Sequence, residues 1–147
     1  MILNDAGIMV EKIWLIMKKE YKNIDISEYI IMPNHFHCLI EILGAESISA
    51  QNPIKMPNEN ISKNRVDMES TPTTTTIPNI LQTFKRYTTI EYIKMVKENI
   101  LLAFDKRIWQ RNYYENIIRN EKQYIMVSEY IKNNPLKWKD DKYYEKS

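Results

Sequence analysis

The sequence predicts one α+β domain with the element order helix, strand, strand, long loop, helix, strand, helix. Three observations predict it: stretches of apolar residues with the 3.6-residue period of helices, two strand-like runs on either side of a Pro-Asn turn, and a length of 147 residues. That length suits one hydrophobic core. With 44% hydrophobic and 27% charged residues, the composition is that of an ordinary soluble globular protein.

The N-terminal part predicts a helix followed by a β-hairpin. Asn4 or Asp5 caps the helix. Residues 24–32 read as a strand, residues 33–34 as a turn, and residues 35–43 as a second strand of largely apolar content. The apolar positions of the helix share one face: Ala6, Met9, Val10, Ile13, Trp14 and Met17.

Residues 44–79 form the predicted long loop. They contain four of the six prolines and no aromatic residue. Such a segment buries too little surface to order itself, so we expect a flexible insertion within a single domain of residues 1–147.

The C-terminal half predicts the remaining three elements. A helix runs from about residue 80 to 97 with Asn79 as its cap, and residues 108–118 are rich in Trp, Tyr and Ile and read as a strand. A last helix spans about residues 120–134 and is stopped by Pro135.

The composition excludes several classes of protein. Two glycines in the whole chain exclude the glycine-rich phosphate loops of nucleotide-binding enzymes. The single cysteine, Cys38, forms no internal disulfide, and the N-terminus shows no secretion signal, so a reducing cytoplasm is expected. The longest apolar stretch, residues 13–17, is too short for a membrane span.

The charge is distributed unevenly. Residues 1–84 carry a net charge of −3 and residues 85–147 a net charge of +5. The C-terminal half is therefore the candidate surface for a polyanion, although a solvated helical face would give the same pattern.

The two histidines of the chain are His35 and His37. On a strand, positions i and i+2 lie on one face about 7 Å apart, so the two imidazoles can converge on one divalent ion. Two partly exposed histidines without a ligand remain the alternative. Zinc is less well supported, because Cys38 points to the opposite face and no second pair of ligands exists.

A second candidate pair lies on the last helix, where Tyr130 and Asn134 are four residues apart and share a face. Tyr124 lies about 240° around the same helix and cannot reach the same site. Alternatively, Tyr130 is a core aromatic residue with its hydroxyl at the rim.

Three segments of the chain resemble the HUH-type single-tyrosine transposases, and most closely the REP-associated tyrosine transposases. They are residues 29–40 (YIIMPNHFHCLI), 108–120 (IWQRNYYENIIRN) and 129–138 (EYIKNNPLKW). The resemblance implies a ferredoxin-like sandwich with an antiparallel sheet. It also implies cleavage and rejoining of single-stranded or hairpin DNA through a covalent enzyme–DNA link.

The resemblance implies a role for each matching residue. His35 and His37 match the metal-binding pair, Tyr130 matches the nucleophile, and Asn134 falls where the family places a third ligand. The implied ion is Mg²⁺ or Mn²⁺. Attack by the tyrosine gives a 5′-phosphotyrosine and a free 3′ hydroxyl, and the tyrosine requires a positive field from the metal or from a lysine such as Lys132.

A single-stranded substrate suits a surface on which aromatic residues stack with bases and cations follow the phosphates. The candidate contacts to the DNA backbone are the basic residues Lys85, Arg86, Arg111 and Arg119. A homodimer with an exchanged nucleophile helix and a site within one chain are both compatible with the sequence.

The chain departs from the family pattern at its start, because the strand that normally precedes the first helix and the N-terminal glycine and aromatic motif of the REP-associated members are missing. The loop at residues 44–79 is also longer than the family's usual connection. In a ferredoxin-like sheet the missing strand would lie beside the one that carries the histidines, so its loss exposes unpaired backbone groups. A catalytically inactive DNA-binding remnant of a transposase is therefore the alternative function, and a small structural zinc protein is a third.

Overall fold

The computed structural model describes residues 2–43 and 76–140, without the side chain of Asp140. Within these residues the protein is α+β, with a two-stranded antiparallel sheet and three α-helices. In chain order the elements are α1 (Asp5–Glu20), β1 (Ile24–Ile31), β2 (Phe36–Ile42), α2 (Ile77–Lys97), α3 (Glu121–Asn133) and a 3₁₀ helix (Asn134–Asp140).

Helix α1 begins as the sequence predicts. The side chain of Asn4 accepts a hydrogen bond of 2.9 Å from the backbone N–H of Gly7 and so caps the first turn. The buried face of α1 carries Trp14 and Met17, both inaccessible to solvent. These side chains form one core with Ile26 of β1 and with Phe84 of α2.

Helix α2 begins three residues earlier than predicted, and its cap is Thr76 rather than Asn79. The Thr76 side chain accepts a hydrogen bond from the Asn79 N–H, and Pro78 is tolerated because the first turn of a helix requires no N–H donor there. Residues 77–79 thus belong to a helix, whereas the rest of the predicted insertion, residues 44–75, lies outside the described residues.

The hairpin of β1 and β2 is confirmed, with the two-residue turn at Pro33 and Asn34. The sheet lies between α1 and α2 on one face and α3 on the other. Alternation along β2 directs three side chains toward α1 and α2, namely Phe36, Cys38 and Ile40. The residues between them face α3.

The predicted strand at residues 108–118 is wrong, because no strand forms there. The segment is nevertheless held on α2, since the indole N–H of Trp109 donates to the buried Thr88 hydroxyl at 2.8 Å. The Lys85 ammonium group donates to the Gln110 carbonyl at 2.9 Å. A strand requires a neighbour for its backbone hydrogen bonds, and no described strand lies beside this segment.

The predicted last helix is confirmed as α3. The Asn120 side chain caps it by accepting a hydrogen bond of 2.9 Å from the N–H of Gln123. Pro135 ends the α-helical hydrogen bonding, and the chain continues in the tighter 3₁₀ helix rather than in a loop.

Candidate functional site

The two histidines lie at the turn end of the sheet, on the face covered by α3. The backbone N–H of Met32 donates to the His35 carbonyl at 2.9 Å and closes the hairpin, so His35 directly precedes β2 and His37 is its second residue. Their ring centroids are 4.8 Å apart. The Nε2 atoms of both rings are shielded from solvent.

The orientation of the His35 ring is set partly by the turn. The Oδ1 atom of Asn34 lies 2.8 Å from His35 Nδ1. With a proton on Nδ1 this contact is a hydrogen bond, and the Nε2 atom then carries the lone pair needed by a metal ligand. The short turn therefore supplies both the position and an orienting partner.

Tyr130 reaches the histidines from α3. Its ring centroid lies 5.6 Å from that of His37, with the rings nearly perpendicular. Ser128 and Ile131 are buried and hold α3 against the sheet, whereas 54% of Tyr130 remains exposed. The side chain is thus in contact with the histidine pair and accessible to a large substrate from solvent.

Asn134 is the first residue of the 3₁₀ helix and is only 3% exposed. Its Nδ2 atom is buried and has no hydrogen-bond partner among the described residues. Four residues farther on, the Trp138 ring lies 5.9 Å from the His35 ring. The 3₁₀ helix therefore packs beside the histidines and brings an unsatisfied buried amide to this region.

His35, His37 and Asn134 carry side chains of the types that bind divalent ions. The amide of Asn134 can present either its nitrogen or its oxygen at the buried position by rotation about its last bond. Two imidazoles and one amide oxygen suit Mn²⁺ and heavier ions at least as well as Mg²⁺. Within the described ranges, no group of three or more His, Cys, Asp or Glu side chains could hold a metal ion.

Cys38 lies on the opposite face of the sheet from the histidines, against the core formed with α1 and α2. Burial raises the pKa of its thiol to about 12, so the thiol stays protonated at neutral pH. A zinc ligand is a thiolate, and the structure gives no support to a zinc site that uses this residue.

The ammonium group of Lys132 is paired with Glu28 of β1, with 2.7 Å between Nζ and Oε1. The hydrogen bond and charge of Glu28 raise the pKa of Lys132. Lys132 thus stays protonated, but its charge is directed toward a carboxylate rather than toward Tyr130.

The predicted DNA contacts lie on α2 and on the segment that follows it. Lys85 is partly buried, and this burial lowers its pKa. Its ammonium group donates hydrogen bonds to carbonyl groups of residues 110 and 111. The Arg86 guanidinium lies 5.8 Å from the Tyr87 ring centroid and is exposed. Arg111 and Arg119 are also exposed. Three of the four candidates are thus on the surface, and the fourth holds the segment in place.

Two residues of this region, Trp138 and Glu28, have no role that is predicted from the sequence. Trp138 lies within the segment 129–138 that resembles the transposases, and its position eight residues after Tyr130 was an available signal. Glu28 had no signal of its own, because a carboxylate on a strand is normally read as solvent-exposed.

The chain is similar in sequence to a known bacterial protein. A protein of Haemophilus influenzae, described as an uncharacterized protein, is 35% identical to it over 144 residues, which cover 98% of this chain and 72% of that protein. The chain belongs to the family of that protein. No family model matches the chain, and no solved structure matches it.

Family membership extends over the whole candidate site, since the aligned 144 residues leave only three residues of this chain unmatched. The description of the Haemophilus influenzae relative contains no activity. Among the described residues no helix is long and apolar enough to cross a membrane.

Proposed function

We propose that the protein is a metal-dependent transesterase that nicks single-stranded DNA and transfers the strand through Tyr130, as the HUH-type single-tyrosine transposases do. One observation carries the proposal. Tyr130, His35 and His37 come from two separate elements, yet their rings form a continuous contact with centroid distances of 4.8 and 5.6 Å. Asn134 is the proposed third ligand, and its support is a buried amide whose Nδ2 atom has no hydrogen-bond partner among the described residues.

The residues divide the chemistry among them. His35, His37 and Asn134 would hold the ion, which supplies polarisation of the scissile phosphate and stabilisation of the departing 3′ oxygen. The Tyr130 oxygen attacks phosphorus, a bond from that oxygen to phosphorus forms, and the bond from phosphorus to the 3′ oxygen breaks. The phenol loses its proton to solvent, and the released 3′ oxygen takes one up.

The energy of the cleaved phosphodiester is kept in the phosphotyrosine bond. A second 3′ hydroxyl can therefore attack it and rejoin the DNA without a nucleotide cofactor. This fits a chain with two glycines, in which no glycine-rich phosphate loop exists.

The surface formed by residues 111–119 suits a single strand of DNA. Residues 111–119 carry the exposed Arg111 and Arg119 together with Tyr114, which is 94% exposed. Exposed aromatic rings stack with unpaired bases, and arginines contact the phosphates between them. Glu115 lies among them, so the segment is not uniformly basic.

For the fold, we propose a ferredoxin-like sandwich whose sheet lacks one strand. The Phe84 ring contacts both the Phe36 ring, at 5.1 Å, and the Trp109 ring, at 5.4 Å. Strand β2 and residues 108–118 therefore pack against the same side chain of α2. The further strand that the resemblance implies would lie beside β2, toward residues 108–118.

Detection of a covalent protein–DNA adduct tests the function. The chain is incubated with labelled hairpin and single-stranded DNA and Mn²⁺, and the products are separated on a denaturing gel. Tyr130→Phe should abolish the adduct. Tyr124→Phe is the matched control, because Tyr124 lies on the same helix, is 36% exposed and should leave the adduct intact.

Two other outcomes would overturn the proposal. Adduct formation that survives Tyr130→Phe would assign the nucleophile to another residue. Retention of DNA in a native gel with no adduct on any substrate would favour the second candidate function, a DNA-binding protein without catalysis. The observation that favours this second function is that residues 112–118 form no backbone hydrogen bond among the described residues, because a segment held in this way positions a site less firmly than a paired strand does.

A further inference from the structure

Helix α3 has two buried side chains, Ser128 and Ile131, and both face the sheet. Met126 and Glu129 lie on the opposite face and are exposed. The apolar contact of Ile131 is not directional, so we expect other contacts to fix the roll of the helix, which is its rotation about its own axis.

Two polar or aromatic contacts flank the buried residue Ile131. Tyr130 lies about 100° to one side of it around the helix and Lys132 about 100° to the other. The Tyr130 ring meets His37 of β2, and the Lys132 ammonium group meets Glu28 of β1. Strand β2 therefore contacts one side of the helix and strand β1 the other. Loss of the contact on one side would let the helix rotate and would displace the side chain on the other side.

A β-bulge explains why Glu28 is available for this contact. Ile26 pairs with Ile40, but Glu28 pairs with Leu39, so β1 contains one extra residue, Ser27. Without it, Glu28 would point to the same face as Ile26, into the core with α1 and α2. The bulge turns Glu28 to the face of the sheet that α3 covers.

We propose that Glu28 and Lys132 are a positioning pair that fixes the roll of α3 and thereby directs the Tyr130 hydroxyl. The inference rests on the proposed function for its kinetic consequence, but the orientation of Tyr130 is a structural property of its own. The Lys132 side chain of this pair is 59% exposed, and ion pairs near the surface contribute little to stability, so we expect the pair to act mainly on geometry.

Removal of one partner tests the pair. Glu28→Gln should slow adduct formation about tenfold, because a small misplacement of a nucleophile costs much of its rate. The apparent KM for DNA and the affinity for Mn²⁺ should change less than about twofold, since neither the DNA contacts nor the metal donors are altered. Asp25→Asn is the matched control, because Asp25 lies on the same strand and pairs with Lys18 at 3.5 Å, away from α3.

Exchange of the charges separates positioning from a general loss of structure. The double variant Glu28→Lys, Lys132→Glu restores the pair in reverse and should return the rate to within about threefold of the parent. The inference would be overturned if Glu28→Gln formed the adduct at an unchanged rate. It would also be overturned if the double variant formed the adduct more slowly than both Glu28→Lys and Lys132→Glu alone.

A readout without DNA keeps this inference distinct from the proposed function. The Tyr130 ring shifts the NMR resonances of the His37 ring protons, because the two rings are 5.6 Å apart. In Glu28→Gln these resonances should move toward their positions in Tyr130→Leu, whereas Asp25→Asn should leave them in place. If the parent forms no adduct but the resonances move, only the function fails; resonances that stay in place overturn the positioning pair.

Discussion

Asn134 is a buried amide whose Nδ2 atom has no partner among the described residues, a situation that normally costs a protein about 1–3 kcal/mol. We predict that Asn134→Leu leaves the free energy of unfolding unchanged or raises it, because it removes this cost at similar volume. The same variant should weaken Mn²⁺ binding at least about tenfold. Denaturant unfolding and calorimetric titration measure the two quantities.

The neighbouring Asn133 is the control for this prediction, since it is exposed and ends α3. Asn133→Leu should change neither quantity appreciably. If Asn134→Leu instead destabilises the chain and binds Mn²⁺ normally, the amide is a structural group and the third ligand lies elsewhere.

The thiol of Cys38 should be unreactive in the folded protein. Burial raises its pKa to about 12, so almost no thiolate is present at pH 8, and the thiolate is the nucleophile in alkylation. We expect iodoacetamide to label Cys38 slowly in the native chain and rapidly in denaturant, as followed by mass spectrometry. Rapid native labelling would show that β2 detaches from the core.

At the scale of single residues, the sequence predicted which side chains share a face but not what surrounds them. The i, i+2 spacing of His35 and His37 and the motif around Tyr130 were sufficient to bring them to one candidate site. The partner of Lys132 was not predictable, because Glu28 reaches it only through the extra residue Ser27 in β1. A one-residue bulge leaves no clear mark in the apolar pattern.

Among the elements, residues 108–118 are attached to α2 partly through one buried hydroxyl, that of Thr88. Thr88 is 1% exposed, accepts from Trp109 and donates to the Phe84 carbonyl at 2.7 Å. We predict that Thr88→Val lowers the free energy of unfolding by about 1–3 kcal/mol, since the Trp109 N–H loses its partner. Thr89→Val is the control, because the Thr89 hydroxyl bonds only to a carbonyl of its own helix. Equal effects in the two variants, measured by denaturant unfolding, would contradict the role of Trp109.

The elements were predictable wherever local signals decide them. Asn4 and Asn120 cap α1 and α3 as expected, and the Pro33–Asn34 turn sets the hairpin. The strand at residues 108–118 was not predictable from its own composition. Its aromatic and β-branched residues favour extended backbone, but a strand also requires a neighbour, and that is a property of the whole sheet.

For the molecule as a whole, the sheet has two open edges within the described residues. The order is β1–β2, and no third strand pairs with either. The backbone of residues 112–118 forms no backbone hydrogen bond among the described residues, although the segment is anchored beside α2 at its start. Unpaired edges of this kind are templates for a further strand.

Amide hydrogen exchange at low and at high protein concentration tests whether the backbone of residues 112–118 is unpaired. We predict that the amides of residues 112–118 exchange almost without protection, whereas those that join β1 to β2 are protected, because only the latter are hydrogen-bonded. This difference in protection should be the same at both concentrations if residues 112–118 stay unpaired in a single chain. Protection of residues 112–118 that appears only at high concentration would identify a second copy of this chain as the source of the strand. Protection at both concentrations would mean that the segment already has a partner within its own chain, and the proposed gap would not exist.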